Sequence, residues 1–248
     1  MLTINGIPLP PQEFMNAVAG APIAGETHIA IGKEFFGMLT QRCEIQPTDR
    51  ILDIGSGCGR IASHFAGHVT NGYDGVDIVL PMVEWCRANI SSRYPNFSFH
   101  HAPLRNTHYS KTGGDAASYV FPFADATFDV IFVVSVFTNL MPAGVQQYAG
   151  EIARMLKPGG RSFFTFFLVT DDYRRRIAQG EQIPNFLVHN VGGGYVGDPA
   201  NPEGTIAFDE SEALGVLTGA KLRIEKVALG TWSKNPGWTY QDVILATR

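Results

Sequence analysis

The densest chemistry in the chain lies in Ile51-Leu52-Asp53-Ile54-Gly55-Ser56-Gly57-Cys58-Gly59-Arg60. An apolar run ends in three alternate glycines and gives way to a helical pattern. Glycine lets the backbone turn sharply and lets a ligand come close to it. A helix N-terminus behind such a turn offers unpaired N–H groups and a positive dipole end, suited to a carboxylate or phosphate. A dinucleotide fingerprint G-x-G-x-x-G read from Gly55 requires glycine at position 60, where this chain has Arg60. Asp53, two residues before the first glycine, would repel a pyrophosphate and pair with an ammonium. The expected ligand therefore carries both an amine and a carboxylate.

Gly75-Val76-Asp77-Ile78 is the second cluster. In doubly wound folds an acid ~20 residues beyond the glycine turn accepts hydrogen bonds from ribose hydroxyls. Asp77 has acceptor sites on both carboxylate oxygens. An amino acid joined to a ribose describes S-adenosylmethionine (SAM) better than a nicotinamide cofactor.

These residues need elements to hold them. Apolar strand-like runs alternate with helical patterns, which predicts βαβ units and a largely parallel sheet. Strands are expected at 50–54, 72–77, 96–100, 128–134 and 162–168, and helices at 27–42, 60–67, 81–94 and 144–156. The run 128–134 lacks alternation and should be buried on both faces. Lys157-Pro158-Gly159-Gly160 reads as a helix stop. Residues 102–127 read as irregular and 170–208 as one long loop, of the kind that carries function. A helix at 209–218 and strands at 221–228 and 240–247 follow. With no helix between them, the last two strands should pair as an antiparallel hairpin.

In this order and spacing the chain resembles the class I SAM-dependent methyltransferases over residues ~48–170. The landmarks are the ILDIGSGCGR turn, the GVDI acid followed by Met82-Val83-Glu84-Trp85-Cys86, Phe121-Pro122-Phe123-Ala124-Asp125 before FDVIFVVSVF, and a helix ending LKPGG. The resemblance implies a Rossmann-like, doubly wound seven-stranded α/β sheet with the last two strands reversed. It implies that Asp53, Gly55, Ser56, Gly57 and Gly59 contact the methionine part of SAM, with Arg60 counted in the same site. Asp77 would take the ribose, Ile78 the adenine, and Ser135 would lie near the methyl group. His101-Ala102-Pro103-Leu104 departs from relatives that place an acid after the third strand. Ser135-Val136-Phe137-Thr138-Asn139-Leu140 is similar to a subgroup reading SVFTHL, with Asn139 where histidine is usual. Asn139 is carried as a candidate catalytic residue, and the proton of the acceptor must otherwise go to another group or need none. The expected domain is single, with a helical cover (1–48), a SAM-binding core (49–170), an acceptor-site lid (171–208) and a C-terminal helix and hairpin (209–248).

Methyl transfer to a hydroxyl profits from a general base. Of seven histidines, His189, in the loop after the fifth strand, is the first candidate and His108 the second. His28, His64, His68, His100 and His101 read as packed or solvated. Asp171 and Asp172 read as a turn or helix cap, Arg174-Arg175-Arg176 as a solvated helix face, and Trp232 and Trp238 as packing residues. No metal site is expected. The acceptor is expected to be a small molecule or carbohydrate methylated on oxygen. The rival readings are an NAD(P)-dependent oxidoreductase and a SAM-binding protein without catalysis.

Composition bounds these readings. The 248 residues carry 19 Lys+Arg against 23 Asp+Glu, a net charge of −4, with 45% hydrophobic and 17% charged residues. Such a chain can build a core and is not disordered. Its mild acidity argues against gripping nucleic acid or anionic lipid. Three cysteines, Cys43, Cys58 and Cys86, are too few and scattered for a disulfide framework or zinc site. No apolar run reaches the ~18–20 residues that span a bilayer, and no basic residue precedes Lys33 to make a signal peptide. A cytoplasmic protein is expected.

Overall fold

The computed structural model describes residues 2–248. Its contacts gather the described chain into two compact units, residues 2–103 with 128–132, and residues 104–127 with 133–248.

The main sheet has seven strands: β1 (Ile51–Ile54), β2 (Tyr73–Asp77), β3 (Phe97–His101), β4 (Phe128–Val133), β5 (Leu156–Phe166), β6 (Arg223–Ala228) and β7 (Asp242–Thr247). Their order is β6-β7-β5-β4-β1-β2-β3. β1 pairs parallel with β2, and β2 with β3. β7 runs antiparallel to both β5 and β6, so the expected final hairpin is present. β4 is buried along nearly its whole length, as an uninterrupted apolar run in a sheet covered on both faces must be. This is a Rossmann-like α/β fold.

In the first unit, α1 (Gln12–Ala19) and α2 (Gly25–Arg42) precede β1. His28, Gly32, Phe35 and Leu39 form the buried stripe of α2, at the spacing that aligns residues on one helix face. The expected helix at 60–67 shrinks to one turn, α3 (Ala62–Phe65), because the glycine turn runs through Arg60 and Gly67 takes a left-handed φ of 80°. The expected helix at 81–94 is α-helical only over α4 (Leu80–Cys86) and continues as a π-helical stretch, Arg87–Ser91. Beneath these elements Tyr73 stacks on Phe97 at 4.9 Å, and Phe65 on Phe132 at 6.2 Å. Such ring pairs stabilise by about 0.5–1.5 kcal/mol each beyond the area they bury.

In the second unit, α5 (Pro142–Met155) starts on a proline, whose missing N–H costs nothing in a first turn. β5 then begins at once. Lys157-Pro158-Gly159-Gly160, read as a helix stop, lies inside this strand. The Gly159 N–H donates to the Arg248 carbonyl and the Arg248 N–H to the Gly160 carbonyl, so residue 248 pairs with this segment.

Residues 170–208 are not the expected long loop. They hold α6 (Asp171–Ala178) and a small sheet in which Leu168–Val169, Ile206–Asp209, Gly194–Val196 and His189–Asn190 lie side by side. Thr170 caps α6 by accepting from the Tyr173 N–H, and Asp171 and Asp172 occupy its first turn. The arginines are ion-paired: Arg174 with Asp209, Arg175 with Asp172, and Arg176 with Glu181 at 2.6 Å. Phe167, Val169, Tyr173, Tyr195, Ala207 and Trp232 form a separate small core under this sheet. α7 (Glu210–Gly219) leads to β6. Among the described residues no helix is long and apolar enough to cross a membrane, and all three cysteines are buried thiols.

Candidate functional site

The first unit places Gly55, Ser56, Gly57, Gly59 and Arg60 on one turn between β1 and α3, with Asp53 in β1 and Asp77 at the end of β2. Gly55 and Ser56 both donate their N–H to the Val76 carbonyl, at 2.8 and 3.0 Å, which ties the turn to the end of β2. Gly55, Gly57 and Gly59 adopt φ of 85°, 53° and 74°, values that side chains with a Cβ rarely tolerate. A Cβ on Gly59 would also lie 2.4 Å from Ile90 Cδ1, and one on Gly57 2.8 Å from Val18 Cγ1 of α1.

Asp77 closes the turn. Its Oδ2 accepts the Gly57 N–H at 2.7 Å and its Oδ1 the Val79 N–H at 2.8 Å. Each oxygen keeps a further lone pair, so the side chain presents two acceptors with a fixed spacing to a vicinal diol. Desolvation pushes the Asp77 pKa up, and the backbone N–H bonds pull against it. Ile78 is half-buried beside it, and its carbonyl lies 3.1 Å from His101 Nε2. His101 is thus a positioning group for the β2 end.

Asp53 sits differently from a carboxylate standing open in a crevice. It is 2% exposed, and the Tyr73 hydroxyl donates to its Oδ2 at 2.6 Å. Burial pushes its pKa up to about 7; the Tyr73 bond and the Arg60 charge pull down, and Asp77 pushes up. Because the folded state holds this proton to higher pH than the unfolded chain, Asp53 stabilises fully below pH ~4. That contribution is lost as pH rises to about 7, at up to about 1.4 kcal/mol per pH unit. Asp53→Asn cannot ionise and still accepts from Tyr73. It is expected to flatten the fall in urea midpoint between pH 4 and 7 and to raise stability at pH 8. An unchanged pH profile would contradict this account of Asp53.

The anion-binding helix N-terminus expected from the sequence is not what the turn offers. A one-turn helix has little macrodipole, and the Gly57 N–H is engaged by Asp77. The cation at this end is Arg60, whose charge reaches Asp53 and Cys58. The Ser56 hydroxyl in the middle of the turn is buried at 6% exposure and has no hydrogen-bond partner. An orphaned buried hydroxyl beside an acceptor pair fits a polar ligand lying along the turn.

The second unit carries the remaining predicted residues. Ser135 adopts φ 58°, a left-handed backbone that is strained for serine. Thr165 Oγ1 accepts its N–H at 2.7 Å, and its own hydroxyl donates to Gln241 Oε1 at 3.0 Å. Asn139 donates both amide hydrogens to backbone carbonyls, Glu203 at 2.9 Å and Gly204 at 2.8 Å. Its backbone carbonyl accepts from Asn106. So engaged, the Asn139 amide clips the 203–204 backbone. His108 belongs to the same polar cluster, its Nδ1 3.2 Å from Asn201 Nδ2 and its ring edge-on to Tyr109. His189 lies apart, half-buried on the edge strand of the small sheet.

Sequence reading missed Tyr73, Gln241 and Asp242. Asp242 is fully buried and accepts from the Gly230 and Leu168 N–H groups at 2.6 Å each and from Trp232 Nε1 at 2.8 Å. An acid opening the apolar run Val243-Ile244-Leu245 was the available signal. Tyr73 could have been found by asking what satisfies an acid inside β1, since the register pairs Asp53 with Gly75 and puts Tyr73 on the diagonal.

Residues 51–160 match the family described as "Methyltransferase domain". A sterol 24-C-methyltransferase of Schizosaccharomyces pombe is 28% identical over 148 residues, which are 58% of this chain. The match spans 35% of that relative's length. A solved SAM-dependent methyltransferase from Methanosarcina mazei superposes with a TM-score of 0.53 at 25% identity, over 85% of this chain and 96% of that one. The [4+2]-cyclase SpnF superposes with a TM-score of 0.61 at 16% identity, over 98% of both chains.

Proposed function

We propose, on the premise that residues 51–160 are a methyltransferase domain and that the seven-stranded fold is that of class I methyltransferases, that this protein transfers the methyl group of SAM to an acceptor. The observation that carries the reading is the Asp77 carboxylate, bound by the Gly57 and Val79 N–H groups with an acceptor site left on each oxygen. When bound, SAM supplies a methyl on a positively charged sulfur. The chain then has to align the acceptor with that bond and exclude water, and alignment of this kind contributes up to ~7–11 kcal/mol.

The acceptor we infer is a small molecule or a carbohydrate, methylated on oxygen. Its support is the SVFT-type segment Ser135–Thr138 and the mildly acidic net charge of the chain. His189 is the proposed base and His108 the second candidate. His189→Ala is expected to lower turnover by ~10²-fold or more, the usual scale of general-base loss, with SAM affinity unchanged. Turnover equal to the parent enzyme would remove His189 from the mechanism, and the same comparison on His108→Ala decides the second candidate.

A second reading has one observation in its favour. Asn139 holds two carbonyls in place of a proton-accepting side chain, and the same fold is found in a protein described as a cyclase. That reading is a SAM-binding protein without methyl transfer. Labelled methyl from SAM reaching a hydroxylated acceptor would exclude it; tight SAM binding with no labelled product across acceptor classes would favour it.

A further inference from the structure

Arg60 supplies the positive charge at the end of the glycine turn, acting on Asp53 and Cys58. His28, on the buried stripe of α2, is 1% exposed, and its Nδ1 has no hydrogen-bond partner. Buried polar groups left without partners are rare and costly. Gly32, one helical turn further along the same face, shows where that face lies. A Cβ there would stand 2.5 Å from the Arg60 carbonyl and 2.8 Å from the His64 ring. The stripe of α2 therefore rests on Arg60, the last residue of the glycine turn, and on His64.

We propose that the imidazole of His28, together with the Arg60 guanidinium, holds the carboxylate of the cofactor's amino-acid end, an assignment that rests on the SAM reading above. In the free protein burial, then Arg60, then His64 push the His28 pKa down to about 4, so the ring is neutral at pH 7. Arg60 and His64 are the charged and titratable groups that act on it, and Lys33 acts on His64 in turn. A carboxylate placed against the ring opposes the Arg60 charge and moves the His28 pKa up. Nδ1 then donates to the ligand, and the ring takes up a proton as the ligand binds. His28 is a binding residue in this account and takes no part in methyl transfer.

The test is titration calorimetry on the full chain in two buffers of different ionisation enthalpy. The ligands are S-adenosylhomocysteine, which keeps the amino-acid end, and 5′-methylthioadenosine, which lacks it. The parent protein is expected to take up more protons with S-adenosylhomocysteine than with 5′-methylthioadenosine. His28→Ala is expected to weaken S-adenosylhomocysteine about 10- to 100-fold, abolish the extra uptake and leave 5′-methylthioadenosine unchanged. His28→Gln keeps a donor without a titratable ring, so it should lose the extra uptake while retaining part of the affinity. Equal weakening of both ligands would overturn the proposal and make His28 a packing residue, and so would unaltered affinity for S-adenosylhomocysteine. A parent protein that binds neither ligand would instead overturn the SAM reading and this assignment with it.

Discussion

Asp77→Ala is expected to weaken SAM binding by ~10²–10⁴-fold. The figure follows from two charge-assisted hydrogen bonds to the ribose at roughly 1.5–3 kcal/mol each. The substitution also strands the Gly57 and Val79 N–H groups that the carboxylate accepts. The glycine turn is then held to β2 only by the Gly55 and Ser56 bonds to Val76. Asp77→Asn keeps one acceptor oxygen and should fall between the two. A dissociation constant for Asp77→Ala equal to that of the parent would show that the ribose is held elsewhere.

The second large effect lies in the other unit. Asp242→Ala is expected to destabilise the protein by about 3–5 kcal/mol, because it leaves the Gly230, Leu168 and Trp232 donors buried without an acceptor. For a chain of this size that lowers Tm by roughly 10 °C, read by calorimetry or circular dichroism. Trp232 is packed in the small core beneath the second sheet, so its fluorescence should respond in the same variant. Burial pushes the Asp242 pKa up to about 6 against its three hydrogen bonds. Its contribution to the pH dependence has the same sign as that of Asp53, with stability falling as pH rises from about 4 to about 6. A Tm unchanged in Asp242→Ala would contradict the role given to this carboxylate.

What could be read from the residues was the part of the fold that local chemistry dictates. Three glycines that all need positive φ marked the turn after β1. The distance from that turn to Asp77 marked the end of β2. The uninterrupted apolar run of β4 declared its burial, and adjacent strands without a helix between them declared the final hairpin. What was not legible depends on partners distant in sequence. β5 runs through Pro158-Gly159-Gly160 because Arg248, almost ninety positions away, supplies the hydrogen bonds. The small sheet escaped because its strands have two to four residues, too short for a period to register. α6 did leave a trace: Asp171-Asp172 read as a turn or cap and Arg174-Arg175-Arg176 as a helix face, and both lie on this helix.

The candidate site followed the same division. The positions of the glycines and Asp77 were readable because their backbone geometry demands those residue types. Asp53 was readable as a carboxylate but not as one bonded to Tyr73, since that contact comes from sheet register. Asn139 was readable only as a departure from histidine. Its use as a clip on the 203–204 backbone follows from a loop more than sixty residues away.

The most direct trial of the central claim is a calorimetric titration of the purified protein with SAM, repeated with NAD+ and repeated on Asp77→Ala. Saturable binding of one SAM per chain, no heat from NAD+ and a steep loss of affinity in the variant are the predicted results. Binding of NAD+ in preference to SAM, or SAM binding indifferent to residue 77, would contradict the account.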